Sequence, residues 1–220
     1  MKKKKLLFIF NPRAGKGQIR SRLFRIIDTF VKAGYEVTVH PTQRPQDGYE
    51  KTKELASEVD VIVCGGGDGT LDEVVNGLMA VQSQIPLGYI PAGSTNDFAS
   101  SVNISRNILQ AAKDVVSGEP CSLDIGLFNH MNFVYIAAFG LFTDVSYETD
   151  QNLKNILGHL AYLLEGTKRI FNVPSHILKV YANDVVMEAE YIYGMITNAR
   201  SVGGFKNLVG PDVELDDGLF

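Results

Sequence analysis

Hydrophobic and polar positions recur along the first part of the chain with two different periods. A continuous apolar run of strand length covers Leu6–Phe10, and apolar residues then recur at helical spacing from Ile19 to Val31, ending at Gly34. Tyr35–His40 alternates as a second strand, and Val59–Cys64 is an all-apolar third strand. The pattern predicts the order strand, helix, strand, short helix, strand.

The same alternation continues through the next sixty residues. Apolar positions from Leu71 to Met79 form one helical face, Leu87–Ile90 predicts a fourth strand, and Ser105–Val116 predicts a helix that Gly118 ends. Strands that alternate with helices are typical of a parallel sheet covered by helices. A ligand of such a sheet binds beyond the carboxyl ends of its strands.

The pattern changes near Cys121, where strand-like runs begin to follow one another. "CSLDIGLF" and "FVYIAAFG" are separated by Asn129-His130, a helix is predicted over Asn152–Phe171, and "HILKVYANDVVMEAEYIYGMITNA" predicts three strands with a turn at Asn183-Asp184. We therefore expect an α/β domain over residues 1–121 and a mostly antiparallel β-rich domain over residues 122–220.

The composition excludes a global positive field that would attract nucleic acid. Lys and Arg total 21 against 25 Asp and Glu, which gives a formal charge of −4, so any attraction to anions must be local. The apolar run after the N-terminal lysines stops at Asn11-Pro12, too early for a signal peptide or a transmembrane segment. Cys64 and Cys121 lack metal-ligand spacing, which favours buried free thiols in a reducing cytoplasm.

Three glycine-rich loops follow three of the predicted parallel strands. "NPRAGKG" follows the first strand, "GGGDGT" the third and "PAGSTND" the fourth, so all three should open at one edge of the sheet. Glycines let the backbone approach a ligand, and the helix N-terminus behind each loop suits phosphate. Neither the P-loop pattern nor the dinucleotide G-x-G-x-x-G pattern is met. Each loop alone is compatible with an ordinary turn, whereas their joint placement favours a phosphate site.

Asp68 lies among these glycines at the start of a predicted helix. A carboxylate there would repel a phosphate unless a cation stands between them, so the functional interpretation is Mg²⁺ held by Asp68 directly or through water. The structural alternative is a helix N-cap. Asn96-Asp97 is a second polar pair at the neighbouring strand end, open to the same two interpretations.

"GGGDGTLDEVVNGL" and "IPAGSTNDFA" together resemble the soluble diacylglycerol kinase family, the lipid kinases that include bacterial diacylglycerol kinases and the sphingosine and ceramide kinases. GGDGT alone also occurs in NAD kinases and phosphofructokinases, and the "PAGSTNDFA" stretch with "NPRAGKG" upstream narrows the match. The resemblance continues through "LDIG", "VSYET" and "PDVELDDGLF". It implies an N-terminal parallel-sheet nucleotide-binding domain of the flavodoxin and NAD-kinase type, followed by a mostly antiparallel β-sandwich.

The resemblance also implies ATP and Mg²⁺ as cofactors and assigns residues to them. Asp68 and Asp97 would be the catalytic carboxylates near the phosphates and the catalytic Mg²⁺. Asp216 and Asp217, with the backbone around Leu219, would match a second, structural Mg²⁺ site, although "LDDG" alone is more typical of a turn. The residues expected to bind the nucleotide are Asn11, Pro12, Arg13, Ala14, Gly15, Thr42, Gly66, Gly67, Asp68, Gly69, Thr70, Leu71, Asp72, Ser94 and Asn96.

The sequence departs from the family pattern in three places. Ser94 replaces the commoner Thr, and Asp72 stands where many members have Asn. Members also continue for roughly another third of this length, through a D-G-E stretch whose acidic residue is taken as the general base. These 220 residues contain no such stretch. We therefore expect a fragment with an incomplete second domain and, if the protein ends at Phe220, weak nucleotide binding without turnover.

The resemblance implies transfer of the ATP γ-phosphoryl group to the hydroxyl of diacylglycerol or a related lipid, which gives phosphatidic acid. The lipid would be met at the membrane surface by a cytoplasmic protein that is peripheral at the inner face, and a homodimer is compatible with this. The apolar segments "MNFVYIAAFGLFTDVSY" and "LGHLAYLLEG" suit either a core or an acyl cleft. The alternatives are an NAD-kinase-like or sugar kinase, a non-catalytic nucleotide-binding regulator, and a flavodoxin-like interaction domain.

Overall fold

The structure is a computed structural model that describes residues 3–140, 175–182, 185–202 and 213–219. Its first part alternates strands and helices, as the hydrophobic pattern predicts. The elements are β1 (Lys4–Phe10), α1 (Gln18–Lys32), β2 (Tyr35–Pro41), α2 (Asp47–Leu55), a 3₁₀ turn (Ala56–Glu58), β3 (Val61–Gly66), α3 (Asp68–Ala80), β4 (Leu87–Pro91), α4 (Asp97–Ser101), α5 (Ile108–Ser117), β5 (Gly126–Phe128) and β6 (Met131–Phe133).

Strands β1 to β4 form one parallel sheet in the order β2-β1-β3-β4. In the register of β1, Leu6 pairs with Val37 on one side and with Val61 on the other. The chain therefore runs from β1 outward to β2 and returns to the opposite side of β1 with β3. Such a reversal opens a crevice at the carboxyl ends of the two inner strands. The predicted parallel sheet is confirmed.

Both faces of this sheet are buried. Alternate residues of β1 enter two separate core clusters, with Leu6, Phe8 and Phe10 in one and Leu7 and Ile9 in the other. The first cluster includes residues of α1 and α5, and the second includes residues of α3. A strand with helices on both sides must be apolar at every position, which explains the unbroken run at the start of the chain.

Two local features of the helices differ from the sequence prediction. Helix α5 begins at Ile108 because the Asn107 side chain accepts hydrogen bonds from the N–H groups of Leu109 and Gln110, at 3.0 and 3.2 Å. This is an N-cap, which ends the preceding loop. The short helix α4 was not predicted, since five residues are too few for a periodic pattern.

The two thiols lie in different surroundings. Cys64 is fully buried in β3, and burial raises the pKa of its thiol. Cys121 is exposed in the segment between α5 and β5. The expectation of a buried thiol is therefore confirmed for Cys64 and wrong for Cys121, whose apolar neighbours in sequence do not cover it.

The second part of the chain contains antiparallel pairs, as predicted. Strands β5 and β6 pair around Asn129-His130. Strand β7 (Ile136–Gly140) pairs with β10 (Tyr193–Thr197), and β8 (His176–Ala182) pairs with β9 (Val185–Tyr191). The helix predicted over 152–171, the turn at 183–184 and the "VSYET" segment lie outside the described residues.

Contacts divide the described chain into two compact units. One contains residues 3–135, 198–202 and 213–219, and the other lies within residues 136–197. The domain boundary expected between residues 121 and 122 stays a prediction. No helix in the described ranges has the length and hydropathy needed to cross a bilayer.

Candidate active site

The glycine-rich loops meet at the carboxyl edge of the parallel sheet. The N–H of Asn11, just after β1, donates to the carbonyl of Gly65 at 2.8 Å, and the N–H of Ala92, just after β4, donates to the carbonyl of Gly66 at 2.7 Å. On the other side, the N–H of Thr42 donates to the Phe10 carbonyl at 2.9 Å. The first residue after each of β1, β2 and β4 is thus bonded to the end of a neighbouring strand.

Two glycines permit a close approach that no other residue would. Gly15 has φ +53°, and a Cβ atom there would lie 2.3 Å from the backbone oxygen of Ala92. A Cβ on Gly93 would lie 2.5 Å from the Cα atom of Gly67. Both neighbours are backbone atoms, which cannot rotate away as a side chain can. The "NPRAGKG", "GGGDGT" and "PAGSTND" loops are therefore packed directly against one another.

The predicted nucleotide-binding residues are placed in three different ways. The loop around Asn11 is internally ordered, because the Asn11 side chain accepts the N–H of Arg13 at 2.8 Å. Ser94 is exposed at the sheet edge. Leu71, by contrast, is 1% exposed and packs in the core, so only its backbone could meet a nucleotide. The remaining residues of the set lie in the loops described above, except Asn96 and Asp72, which are described below.

Asp68 joins its own loop to the neighbouring helix. Its two carboxylate oxygens accept the N–H groups of Asp97 and Phe98, at 3.1 and 3.3 Å, which are the first two residues of α4. Burial raises the pKa of Asp68 to about 6, partly offset by these two donors, and the nearby Asp97 adds to the rise. The structure thus places a carboxylate with an elevated pKa between two glycine-rich loops.

Asn96 shapes the turn that leads into α4. It has a left-handed backbone with φ 55°, and its side-chain oxygen and nitrogen bond the backbone N–H and carbonyl of Gly93 at 2.8 and 2.9 Å. The side chain is 6% exposed. Its polar atoms therefore order the loop, and the loop backbone is the part left to meet a ligand.

The carboxylates of this site suit a cation that arrives with a nucleotide. Mg²⁺ usually keeps several waters and binds to one or two carboxylates together with substrate phosphates. Asp68 and Asp97 provide two such groups at adjacent loop ends. In the described ranges no cluster of three or more Asp, Glu, His or Cys side chains could enclose a metal by itself. The residues therefore fit a phosphate-bound Mg²⁺ better than a permanent protein-bound one.

The second metal site that the resemblance implies falls on a turn near the end of the chain. Asp217 accepts the N–H of Leu219 at 3.0 Å, and Asp124 accepts the N–H of Gly218 at 2.5 Å. Asp216 is exposed. The structure brings Asp124 to this turn, a residue that the sequence analysis did not single out. The metal-binding role of Asp216, Asp217 and Leu219 stays a prediction.

Helix α3 also holds β6 through two polar side chains. Asn76 pairs with the backbone of Asn132 in both directions, accepting its N–H and donating to its carbonyl, each at 2.8 Å. One turn earlier, Asp72 accepts the N–H of Val134 at 3.4 Å. The side chain of Asp72, which was expected at the nucleotide, therefore extends from α3 to the residue just after β6. Burial raises the pKa of Asp72 to about 7, and the Asp68 carboxylate contributes to the rise.

Replacing Asp72 with Asn is expected to stabilise the protein at high pH. The unfolded carboxyl titrates near 3.8 and the folded one near 7, so folding disfavours the ionised form. This destabilisation is complete above pH 7 and disappears as the pH falls toward 4. We expect Asp72→Asn to raise the free energy of unfolding by about 1–3 kcal/mol at pH 8, allowing for partial exposure, and little at pH 4.

Urea unfolding of both proteins at the two pH values measures this difference. The amide keeps an oxygen for the Val134 N–H, so the comparison isolates the charge. Asp114→Asn, at an exposed position of α5, is a matched control, with an expected change below about 0.5 kcal/mol. An effect of Asp72→Asn that is equal at pH 4 and pH 8 would contradict the electrostatic explanation.

Two further residues of this region were missed by the sequence analysis. Glu73 accepts the N–H groups of Gln46 and Gly48 at 2.9 and 3.0 Å, and so holds the loop after β2 against α3. Ser201 donates its hydroxyl hydrogen bond to the Asp97 carboxylate at 2.7 Å. Neither lies in one of the three glycine-rich loops. Their partners are far away in sequence, the backbone of Gln46 and Gly48 for Glu73 and the Asp97 carboxylate for Ser201, and no local pattern reveals such contacts.

Comparison with known proteins identifies relatives over nearly the whole chain. Residues 5–128 match the family model described as the diacylglycerol kinase catalytic domain. The "Diacylglycerol kinase" of Bacillus subtilis (strain 168) is 37% identical over 219 residues, which cover 99% of this chain and 72% of the relative. That of Staphylococcus aureus (strain MRSA252) is 35% identical, with 99% and 69% covered.

Solved structures give the same result. A crystal structure of a diacylglycerol kinase from Bacillus anthracis str. Sterne is 29% identical and superposes with a TM-score of 0.77 over 99% of this chain and 74% of that one. Another structure from the same organism is 31% identical, with a TM-score of 0.83 over 99% and 72%.

Proposed function

Because this chain belongs to the diacylglycerol kinase catalytic-domain family, we propose that it transfers the γ-phosphoryl group of ATP to the hydroxyl of diacylglycerol or a related lipid, giving phosphatidic acid. The observation that carries this proposal is the contact between the two motif loops. Gly67 and Gly93 approach closely, and Asp68 bonds the first residues of α4. A phosphate site on these loops would therefore lie at the same edge as the two carboxylates.

In this proposal the chain's own residues position the nucleotide. The backbone N–H groups of Gly67 and Gly69, with the adjoining Gly66 and Thr70 and the loop around Asn11 and Gly15, would hold the phosphates, because glycine exposes the backbone and the α3 N-terminus favours negative charge. Thr42 and Ser94 would border the nucleotide from the two neighbouring loops. Positioning and charge stabilisation are the main contributions that proteins make to phosphoryl transfer.

Asp68 and Asp97 are proposed as the catalytic carboxylates of the site. Asp68 and Asp97 would hold a Mg²⁺ ion that is bound together with the nucleotide, and such an ion supplies charge neutralisation for the transferred group. Asp68 is ionised above pH 6, given its elevated pKa. The acceptor hydroxyl must also lose a proton, and the resemblance assigns that task to a D-G-E stretch that these 220 residues do not contain.

We propose that the protein works in the cytoplasm, where ATP is present, and binds its lipid acceptor at the membrane surface. An amphiphilic lipid with two acyl chains remains in a bilayer, so the enzyme must bind at the interface during turnover.

Phosphoryl transfer from radiolabelled ATP to diacylglycerol in mixed micelles tests the proposal. The full-length protein is expected to label the lipid in the presence of Mg²⁺. Parallel reactions contain NAD or no acceptor. Labelling of NAD instead of lipid would favour an NAD-kinase-like enzyme, and nucleotide binding without any labelled product would favour a non-catalytic regulator. Absence of Mg²⁺-nucleotide binding would contradict both.

A further inference from the structure

We propose that Ser201 is a positioning residue for phosphoryl transfer, because its hydroxyl holds the Asp97 carboxylate at the edge of the nucleotide loops. The proposal rests on the proposed lipid kinase function. It assigns a role to the segment of residues 198–202, which lies beyond the 5–128 stretch that the family model matches.

The contact between the two residues is short and buried. Ser201 Oγ donates to Asp97 Oδ1 at 2.7 Å, and the two residues are 2% and 3% exposed. A hydrogen bond from a hydroxyl to a carboxylate is roughly twice as strong as a hydrogen bond between neutral groups. Because both residues are buried, water competes little for this bond, and the bond contributes to the orientation of the carboxylate.

The segment around Ser201 is fixed by bonds that do not use the Ser201 hydroxyl. The N–H of Arg200 donates to Ser101 Oγ at 3.0 Å, and Ser101 Oγ in turn donates to the Asp97 carbonyl at 3.0 Å. At the other end of the segment, the N–H of Asn198 donates to the Tyr135 carbonyl at 3.0 Å. Removing the hydroxyl therefore removes its bond to the Asp97 carboxylate without releasing the segment.

The loops after β1 and β3, which are proposed to bind the nucleotide, do not contact the Ser201 hydroxyl. The loops after β1 and β3 are held by bonds to Gly65 and Gly67 and by the glycine contacts, none of which involves Ser201. Asp97, by contrast, is joined to Asp68 through its own N–H. Loss of the Ser201 hydroxyl should consequently change the position of the Asp97 carboxylate relative to Asp68, and nucleotide binding should be retained.

The test compares Ser201→Ala, Ser201→Thr and the matched control Ser117→Ala in the full-length protein. Ser117 is exposed at the end of α5 and donates only to the Lys113 carbonyl. Lipid phosphorylation is measured at varied ATP, together with the thermal midpoint of unfolding. Ser201→Ala is expected to lower kcat about tenfold, with the KM for ATP changed less than twofold. Ser201→Thr keeps a hydroxyl and should recover most of kcat, and the control should match the wild type.

The possible outcomes are distinct. An unchanged kcat for Ser201→Ala, with or without a lower thermal midpoint, overturns the positioning role. A rise in the KM for ATP in proportion to the loss of kcat/KM also overturns it, because the residue would then act on nucleotide binding. A wild-type protein that labels no lipid overturns the proposed function and this inference with it. An active wild type with an unaffected Ser201→Ala overturns only the inference.

Discussion

Replacement of Asp68 with Asn is expected to lower the rate of lipid phosphorylation by a factor on the order of 10² to 10³, while leaving the protein folded. The amide removes a negative charge beside the proposed phosphate site but keeps an oxygen for one of the two N–H groups at the start of α4. Folding raises the pKa of this carboxyl to about 6, so its charge destabilises the folded state above that pH. Loss of the charge should therefore not destabilise the protein at pH 8.

Asp68→Ala separates the two roles of this side chain. Alanine leaves both α4 donors without an acceptor, so we expect a loss of stability of about 1–3 kcal/mol in addition to the loss of turnover. The two hydrogen bonds to α4 are the reason to expect this loss, since a loop carboxylate without such bonds contributes little packing.

The measurements are kcat at pH 8 and urea unfolding for wild type and both variants. Asp60→Asn is the matched control, since Asp60 also accepts a backbone N–H, that of Lys5 at 2.7 Å, but at the start of β1. It should retain wild-type kcat. An Asp68→Asn protein that keeps its turnover within about threefold would contradict the catalytic role.

Gly93→Ala should have the second largest effect. The added methyl group would lie 2.5 Å from the Gly67 Cα atom and 2.9 Å from the Asn96 side-chain oxygen. The first neighbour is backbone, so the two motif loops must separate. We expect a loss of stability of about 1–3 kcal/mol, and a displacement near 1 Å should lower turnover on the order of 10²-fold.

The control for Gly93→Ala is Gly69→Ala, judged by stability alone. A Cβ atom on Gly69 would meet nothing within 4 Å, and the residue lies in α3. Alanine should therefore be neutral or stabilising by up to about 1 kcal/mol. Thermal and urea unfolding of the two variants, with ATP titration of Gly93→Ala, complete the test. Equal stability of the two variants would refute the close approach as the constraint.

Much of the fold was predictable because it depends on local periodicity. The apolar run of β1 requires cover on both faces, and the helical spacing after Ile19 supplies part of that cover. The order of the strands in the sheet is different, because it depends on which edges meet after the helices pack. Helix α4 is too short to show a periodic pattern, and its start depends on a distant residue, because its first N–H groups donate to Asp68, 29 and 30 residues earlier.

The site was predictable where it consists of backbone and unpredictable where it depends on distant side chains. Glycines in three loops indicated the edge of the sheet, and the structure brings those loops together. Leu71 was expected at the nucleotide because the resemblance assigns the whole run from Gly66 to Asp72 to the ATP site, yet its side chain is in the core. Glu73 and Ser201 gave no signal, since a carboxylate on a helix and a serine in a loop are common and their partners lie far along the chain.

Helix α3 shows that the length of a segment can be more constrained than the identity of its residues. Within the nine residues from Asp68 to Asn76, four side chains hold three separate parts of the chain: Asp68 holds α4, Glu73 holds the loop before α2, and Asn76 and Asp72 hold β6 and the residue just after it. A substitution removes one of these connections. An insertion or deletion of a single residue would turn every later side chain by about 100° around the helix axis and break several at once. The contacts of this stretch therefore depend on the number of residues between these side chains as well as on the side chains themselves.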